Sequence, residues 1–226
     1  MQSLQYFGAK DLRFVDMPIP EIGESEVLMK VRKVGICGTD LHIYVGGMNV
    51  PTPLVIGHEF VGDVEKVGSK VLNVKPGDRV VAEHVIGCGN CTYCKEGLKN
   101  LCTKPVVIGL HRAGALAEYM AIPSELVYKL PDTLSYDDGV LVEPLSIAVY
   151  ALKKANLPEN CSVAVVGQGP IGIFVDQVAK ALGHKVYGFD INESRLAYAK
   201  SQNYVDEVFN TADAQYMQKF YMSAKS

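Results

Sequence analysis

The sequence predicts a β-rich domain followed by a parallel α/β domain, and three observations support this fold class. The chain has 226 residues, more than the roughly 100 to 200 of a usual single domain. Short apolar and polar alternations, punctuated by Gly and Pro, fill the part before Ala121, as in antiparallel sheets. After Pro158, strand and helix patterns alternate, as in parallel α/β units. We expect domains at residues 1–155 and 156–226, with the boundary near 153–160.

The first domain begins with clear strand patterns. Val27–Val34 and Phe60–Val67 alternate apolar and polar residues, which is typical of antiparallel strands with one buried face. The stretch VKPGDRVVA, Val74–Ala82, adds a Pro-Gly turn before another strand. Together these patterns predict a small β-barrel. Between Tyr136 and Ala155 the apolar residues have helical spacing, and we expect Pro144 to break that helix.

Composition narrows the classes of function. Hydrophobic residues make up 48% of the chain, charged residues 21%, and the net charge is -3. The sequence has no long basic run, so it does not predict binding to nucleic acid or to an anionic membrane surface. The first ten residues lack a signal-peptide pattern, and no stretch is apolar enough for a membrane span. The expected location is the cytoplasm.

Four cysteines lie close together in CGNCTYCKEGLKNLC, at Cys88, Cys91, Cys94 and Cys102. Cytosolic thiols stay reduced, so clustered cysteines there favour metal binding over disulfides. Four thiolates close a tetrahedron around zinc and leave no position for substrate, so this zinc is predicted to be structural. A disulfide pair and a thioredoxin-like redox motif are the alternatives.

The second domain contains the stretch SVAVVGQGPIG. An apolar strand, Ser162–Val166, leads into Gly167, Gly169 and Gly172 with the spacing G-x-G-x-x-G, and then into a helix predicted at Ile171–Leu182. This context favours a dinucleotide-binding loop with the pyrophosphate at the helix N-terminus. A glycine turn without any ligand is the alternative.

A carboxylate follows the next predicted strand, Lys185–Phe189. This residue, Asp190, can accept hydrogen bonds from ribose hydroxyls and would repel a 2′-phosphate, which favours NAD over NADP. Arg195 either flanks the adenine or is a solvated helix residue.

A second constellation lies in the first domain, in GICGTDLH, GHEF and VEPLS. Cys37 offers a thiolate, His58 an imidazole, and Glu59 or Glu143 a carboxylate. Three protein ligands with one open position form a catalytic zinc site. Taken singly, each of these residues is better explained by an ordinary structural role.

These motifs, together with PGDRV and the Cys loop, resemble the zinc-dependent medium-chain dehydrogenase/reductase family over essentially the whole chain. The resemblance implies a GroES-like catalytic domain, a Rossmann domain, catalytic and structural zinc, and NAD as cofactor. It implies Cys37 and His58 as catalytic zinc ligands, with Glu59 or Glu143 as the oxygen ligand or its neighbour.

The resemblance also implies a reaction. EPLS is similar to sorbitol and other polyol dehydrogenases, and GTDLHIY is similar to threonine and butanediol dehydrogenases. The implied activity is hydride transfer from a secondary alcohol or polyol to NAD, with Thr39 and His42 in a proton relay. The expected partner is a small alcohol, without nucleic acid or membrane, and the chain is a possible homo-oligomer. Pro170 and Ile171 complete the implied cofactor-binding loop.

The second domain shows only three strand patterns, the last around Asp206–Phe209, before the polar and possibly helical stretch TADAQYMQKFYMSAKS. A doubly wound domain usually has about six strands, so we expect a partial Rossmann domain and a shortened dehydrogenase. The alternative function is a non-catalytic zinc-binding, and possibly nucleotide-binding, remnant or fragment. His84, His111, His184 and Cys161 fall outside the motifs and are predicted to be structural.

Overall fold

The computed structural model describes residues 1–213. The chain forms two compact units, the first at Met1–Glu143 and the second beginning at Pro144. Each unit has its own buried apolar clusters. The predicted domain boundary at 155/156 stays a prediction.

The first unit is built from ten strands in three antiparallel sheets. The strands are β1 Gln2–Gly8, β2 Asp11–Asp16, β3 Glu26–Gly35, β4 Leu54–Val55, β5 Glu59–Val67, β6 Arg79–Ala82, β7 Val85–Ile86, β8 Val106–Val107, β9 Tyr119–Pro123 and β10 Val127–Lys129. The largest sheet has the order β10-β6-β5-β3-β9, and the others have the orders β2-β1-β4 and β7-β8.

The long pair β3 and β5 forms the centre of the largest sheet. Val27 pairs with Val67, and Gly35 at the other end pairs with Glu59. Val27 and Met29 are fully buried in the main cluster, and Leu28 between them is buried as well. Burial along β3 therefore does not follow the predicted alternation. Burying one such side chain contributes about 1.5–3 kcal/mol.

Three short helices accompany these strands: α1 at Gly38–Tyr44 and α2 at Thr92–Lys95 lie between strands, and α3 at Tyr136–Gly139 follows β10. A longer helix, α4, spans Val142–Ala155. The predicted break at Pro144 is wrong, because the interruption lies at residues 140 and 141 and Pro144 sits in the first turn of α4. Backbone N–H groups of a first turn have no partner within their helix, so proline costs little there.

The second unit has a three-stranded parallel sheet in the order β11-β12-β13, with β11 at Ser162–Val166, β12 at Lys185–Asp190 and β13 at Glu207–Asn210. Helix α5, Pro170–Ala181, follows β11, and helix α6, Glu193–Ser201, follows β12. The predicted fold class, a β-rich domain followed by a three-stranded Rossmann-type unit, is confirmed. The helix predicted at Ile171–Leu182 is shifted by one residue.

Two further observations concern the described residues. None of the helices within residues 1–213 is both long and apolar enough to span a membrane. The possibly helical stretch that begins at Thr211 lies mostly outside the described residues, and its first residues form a turn.

Candidate functional site

The first part of the site is the corner between β3 and α1. Cys37 precedes the helix in an extended conformation, as an N-cap residue does. Three residues later, Asp40 turns back, and its Oδ2 accepts a hydrogen bond from the Cys37 N–H at 2.9 Å. This hydrogen bond fixes the backbone that carries the Cys37 thiol. Asp40 had no role in the sequence analysis, although its spacing from Cys37 matches a capping box.

The second part is the turn that leads into β5. Gly57 has a φ of +94°, which favours glycine, and its N–H donates to Asp40 Oδ1 at 3.2 Å. His58 follows with 6% exposure, and its Nδ1 lies 3.7 Å from the same carboxylate oxygen. Asp40 therefore links the turn before His58 to the start of α1.

Glu59 is the first residue of β5 and is buried. It stands opposite Gly35 in the sheet, where a methyl group on Gly35 would overlap Glu59 Oε2. The lack of a side chain at Gly35 gives the carboxylate its room.

Cys37, His58 and Glu59 form one cluster, in which a ligand atom of each lies within 4.8 Å of those of the other two. Burial raises the pKa of the Cys37 thiol and of the Glu59 carboxyl, and burial lowers the pKa of the His58 imidazole. All three pKa shifts favour the uncharged form of the side chain. A buried thiol, imidazole and carboxyl are a donor set that suits zinc, and His58 Nδ1 has no hydrogen-bond partner within the described part of the chain.

Glu143 and His84 form a second pair beside this cluster. Glu143 Oε1 lies 3.3 Å from His84 Nδ1, and the rings of His84 and His58 are 5.1 Å apart between centroids. Glu143 also acts electrostatically on the pKa of both His58 and Glu59. His84 was predicted to be structural, and no local motif signals its proximity to this cluster, because only the tertiary fold brings it there.

The two residues of the predicted proton relay both lie on α1. Thr39 Oγ1 is 3.6 Å from Cys37 Sγ and is partly buried, whereas His42 in the last turn is exposed. Along α1, Thr39 therefore lies beside the buried cluster and His42 lies at the solvent-exposed surface. The relay itself stays a prediction.

The four cysteines at Cys88, Cys91, Cys94 and Cys102 come together in a second cluster, with all sulfurs within 4.8 Å of one another. Two of the Sγ pairs are 4.0 Å apart, too long for a disulfide at about 2.05 Å. Four sulfurs at about 2.3 Å from one zinc stand about 3.8 Å apart, so the observed geometry fits a tetrahedral zinc.

Backbone groups of this loop already favour thiolates. Hydrogen bonds from the N–H groups of Thr103 and Cys94 lower the pKa of Cys91 to about 6, and a bond from Asn90 lowers that of Cys88. Desolvation raises the pKa of Cys94 to about 11. These opposite pKa shifts divide charge unequally among the closely spaced sulfurs, because one thiolate makes its neighbours harder to ionise.

The glycine loop of the second unit has the local geometry of a dinucleotide turn. Gly167 has a φ of +97°, and a methyl group on Gly172 would overlap the Gly167 carbonyl oxygen. Gly169 precedes α5, which begins with Pro170 and Ile171. The loop therefore needs a bare backbone at its first and last glycines, as the spacing predicted.

Asp190 ends β12 beside this loop. Its Oδ2 accepts from the Gln168 N–H at 2.7 Å and its Oδ1 from the Asn192 N–H at 2.8 Å. Burial alone would raise its pKa, but these bonds outweigh burial and hold the pKa below its usual value. Arg195 lies 3.8 Å from the same carboxylate and is largely exposed. The predicted cofactor-binding residues thus lie at the carboxyl ends of the neighbouring strands β11 and β12 and in the segments that follow them.

The remaining singled-out residues lie apart from these clusters. His111 accepts a hydrogen bond from the Val107 N–H, and His184 contacts the Cys161 thiol at 3.5 Å. No structural observation gives them a further role.

Fold and site together define a class: a β-rich domain with two zinc-type ligand clusters, followed by an α/β unit with a dinucleotide-type loop. Residues 23–132 match the alcohol dehydrogenase GroES-like domain. The chain therefore carries this domain of the alcohol dehydrogenase family, and the resemblance to zinc-dependent dehydrogenases is confirmed.

Named relatives agree with this assignment. The chain is 39% identical over 206 residues to L-threonine 3-dehydrogenase of Escherichia coli K12, covering 88% of this chain and 60% of that protein. Galactitol-1-phosphate dehydrogenase from Escherichia coli superposes with a TM-score of 0.93 at 33% identity, over 99% of this chain and 65% of that chain.

A further solved structure is described as a short chain alcohol dehydrogenase from Escherichia coli CFT073 complexed with NADH. It has a TM-score of 0.93 at 34% identity, over 99% of this chain and 66% of that one. The chain thus spans about 60% to 66% of the length of these dehydrogenases.

Proposed function

We propose that the chain takes part in the zinc-dependent oxidation of a secondary alcohol, with a sorbitol-like polyol as substrate and NAD as hydride acceptor. The observation that carries this proposal is the buried cluster of Cys37, His58 and Glu59 inside an alcohol dehydrogenase GroES-like domain. The NADH complex of a relative at 34% identity supports the cofactor. The cytoplasm is the proposed compartment, because all six cysteines are free thiols and thiols persist there.

In this proposal Cys37, His58 and Glu59 hold the catalytic zinc, with Glu143 beside them. A zinc ion bound there supplies Lewis acidity, which lowers the pKa of an alcohol hydroxyl. The chain's own residues prepare the site. Asp40 fixes Cys37 and the turn before His58, and Gly35 leaves space for Glu59. Preorganised donors of this kind need little rearrangement on binding.

Proton movement is assigned to α1. Thr39 lies beside the Cys37 sulfur, so its hydroxyl is the proposed first acceptor of the substrate proton. His42, one turn further on and exposed, passes that proton to solvent because histidine side chains change charge near neutral pH.

Cofactor binding is assigned to the second unit. Gly167, Gly169 and Gly172 with Pro170 and Ile171 form the pyrophosphate loop, and Asp190 accepts hydrogen bonds from the ribose. Since its pKa is held low, Asp190 is ionised at neutral pH and disfavours a 2′-phosphate. Arg195 is proposed to flank the adenine. The four-cysteine loop holds a second, structural zinc.

The test uses the zinc-loaded chain, NAD and a panel of sorbitol, butanediol and threonine, and follows the absorbance of reduced nicotinamide together with zinc per chain. We expect two zinc ions per chain, with Cys37→Ala removing one zinc and all turnover. Cys161→Ala is the matched control, because Cys161 lies outside both clusters, and it should leave both readings unchanged.

Two results contradict the proposal. If Cys37→Ala retains two zinc ions, the catalytic ligand set is wrong. If the folded chain binds two zinc ions yet turns over none of the panel, the chain is a zinc-binding protein without this activity.

A further inference from the structure

The segment 108–116, which we call the strap, lies against the turn that leads to His58. It follows β8 and precedes β9. Three consecutive backbone N–H groups of the strap donate to the three carbonyl groups that precede His58, in the pairs Gly114 to Val55, Ala115 to Gly57 and Leu116 to Ile56, at 2.7, 2.9 and 3.0 Å. The strap is therefore joined to the turn through the backbone.

Two buried glycines of the strap allow this close approach. A methyl group on Gly114 would overlap the Gly57 carbonyl oxygen and would lie 2.7 Å from that of Ile56. A methyl group on Gly109 would lie 2.8 Å from the Gly57 carbonyl oxygen and 3.1 Å from its nitrogen. Backbone atoms cannot yield as the end of a flexible side chain does, so a larger residue at either position would push the strap and the turn apart.

The strap is also anchored away from the turn. Arg112 Nη2 donates to the Ala121 carbonyl of β9 at 3.0 Å and lies 3.2 Å from Glu26 Oε1 of β3. Leu110 and Leu116 pack against the cluster that contains Ile43 of α1 and Ile56. These contacts hold the strap to the central sheet and to α1, so the strap provides a fixed surface for the turn.

The peptide group between Gly57 and His58 receives this support directly. Its carbonyl oxygen is the one that accepts from the Ala115 N–H, while the Gly57 N–H on the other side donates to Asp40 Oδ1 at 3.2 Å. A peptide group is planar, so fixing this carbonyl also fixes the direction in which the backbone enters His58. Rotation of this peptide would move the imidazole relative to Cys37 and Glu59.

We propose that Gly109 and Gly114 are positioning residues for metal binding, because they let the strap hold His58 within reach of Cys37 and Glu59. The inference rests on the proposed function, in which these three side chains hold zinc. All three clustered ligands lie outside the strap, which acts through the backbone alone. A ligand held in place before the metal arrives needs little rearrangement on binding.

The first experiment measures zinc affinity of the full chain by competition with a chromogenic chelator. In Gly114→Ala, the affinity of the site that Cys37→Ala removes should fall about 10- to 100-fold, as when a ligand loses its outer support. The four-cysteine zinc should remain. Gly68→Ala is the matched control, because its methyl group overlaps the Gly23 and Glu24 carbonyl oxygens at the other end of β5 from Glu59.

The control separates positioning from a general loss of stability. Gly68→Ala should lower stability and leave zinc affinity unchanged. With Co²⁺ in place of zinc, the visible absorption bands report ligand geometry, and we expect altered bands in Gly114→Ala only. A folded Gly114→Ala with wild-type zinc affinity would overturn the proposal, and so would an equal loss of zinc affinity in Gly68→Ala.

A second variant decides the question if Gly114→Ala does not fold. Arg112→Gln removes the ties of the strap to Ala121 and Glu26 without adding a methyl group. Arg32→Gln is its control, since it loses an ion pair with Asp63 between β3 and β5. Zinc affinity should fall in Arg112→Gln only, and equal affinities in the two variants would contradict the role of the strap.

A last readout does not depend on the proposed zinc. The ring C–H resonances of His58, assigned by their loss in His58→Gln, are compared by NMR among wild type, Gly114→Ala and Gly68→Ala. If Cys37→Ala removes no zinc while the His58 ring shifts in Gly114→Ala alone, the proposed metal site is wrong and the positioning of His58 is retained. If the His58 ring does not shift in Gly114→Ala, the positioning role is wrong, whatever binds.

Discussion

Replacing Asp40 by alanine tests the construction of the proposed metal site. Asp40 is 3% exposed, and its two oxygens accept from the N–H groups of Cys37 and Gly57. Each of these two donors, left without a partner, costs about 1–3 kcal/mol, so Asp40→Ala should lower the free energy of unfolding by about 2–6 kcal/mol. For a chain of this size, each kcal/mol shifts Tm by about 2–4 °C.

The assay is urea unfolding followed by far-ultraviolet circular dichroism, with zinc per chain measured on the same samples. Asp137→Ala is the matched control, because its ion pair with Lys33 is exposed and such pairs contribute about 0–1 kcal/mol. We expect Asp40→Ala to lose the zinc proposed at Cys37, His58 and Glu59 as well as stability. A loss below about 0.5 kcal/mol with full zinc content would refute the reasoning that Asp40 holds the two segments together.

Three other predictions follow from particular contacts. Cys94→Ser should remove one zinc per chain while Cys37 still binds its own, as counted by atomic emission; unchanged zinc would exclude the four-sulfur site. Gly172→Ala should abolish ADP-ribose binding in calorimetry, because the methyl group meets the Gly167 carbonyl oxygen; normal affinity would contradict the close approach. Burial raises the pKa of Asp176 from 3.8 to about 7, so the folded state retains a proton that the unfolded state loses. Wild-type stability should therefore fall as pH rises from about 4 to about 7, by at most about 4 kcal/mol. Asp176→Asn should lack this slope in urea unfolding, and a slope equal to that of wild type would assign it to other groups.

Local sequence patterns were sufficient for much of the fold. The strand, glycine turn and helix from Ser162 onwards were predicted to within one residue, because an apolar run, three spaced glycines and an amphipathic segment each constrain the backbone locally. The same argument failed at Pro144, where the proline lies in a first turn that tolerates it. Proline alone does not tell whether a helix is broken or begins.

The candidate site was predictable only in part. Cys37, His58 and Glu59 come from motifs whose residue types suit zinc, and the fold brings their side chains together. His84 and the contact of Asp40 with Gly57 were missed because they depend on residues distant in sequence, whereas the bond of Asp40 to Cys37 had a local signal. Local periodicity carries no information about such contacts.

The two proposed binding regions share one means of fixing the backbone. Asp40 accepts hydrogen bonds from backbone N–H groups of both segments that carry the proposed metal ligands. Asp190 accepts them from the N–H groups of the glycine loop and of Asn192. Each carboxylate offers an oxygen to each of two donors, so an asparagine at either position would turn an amide N–H towards a backbone donor and lose a bond. The change from aspartate to asparagine should therefore weaken the hydrogen bonding at positions 40 and 190, which follows from hydrogen-bond direction and not from burial.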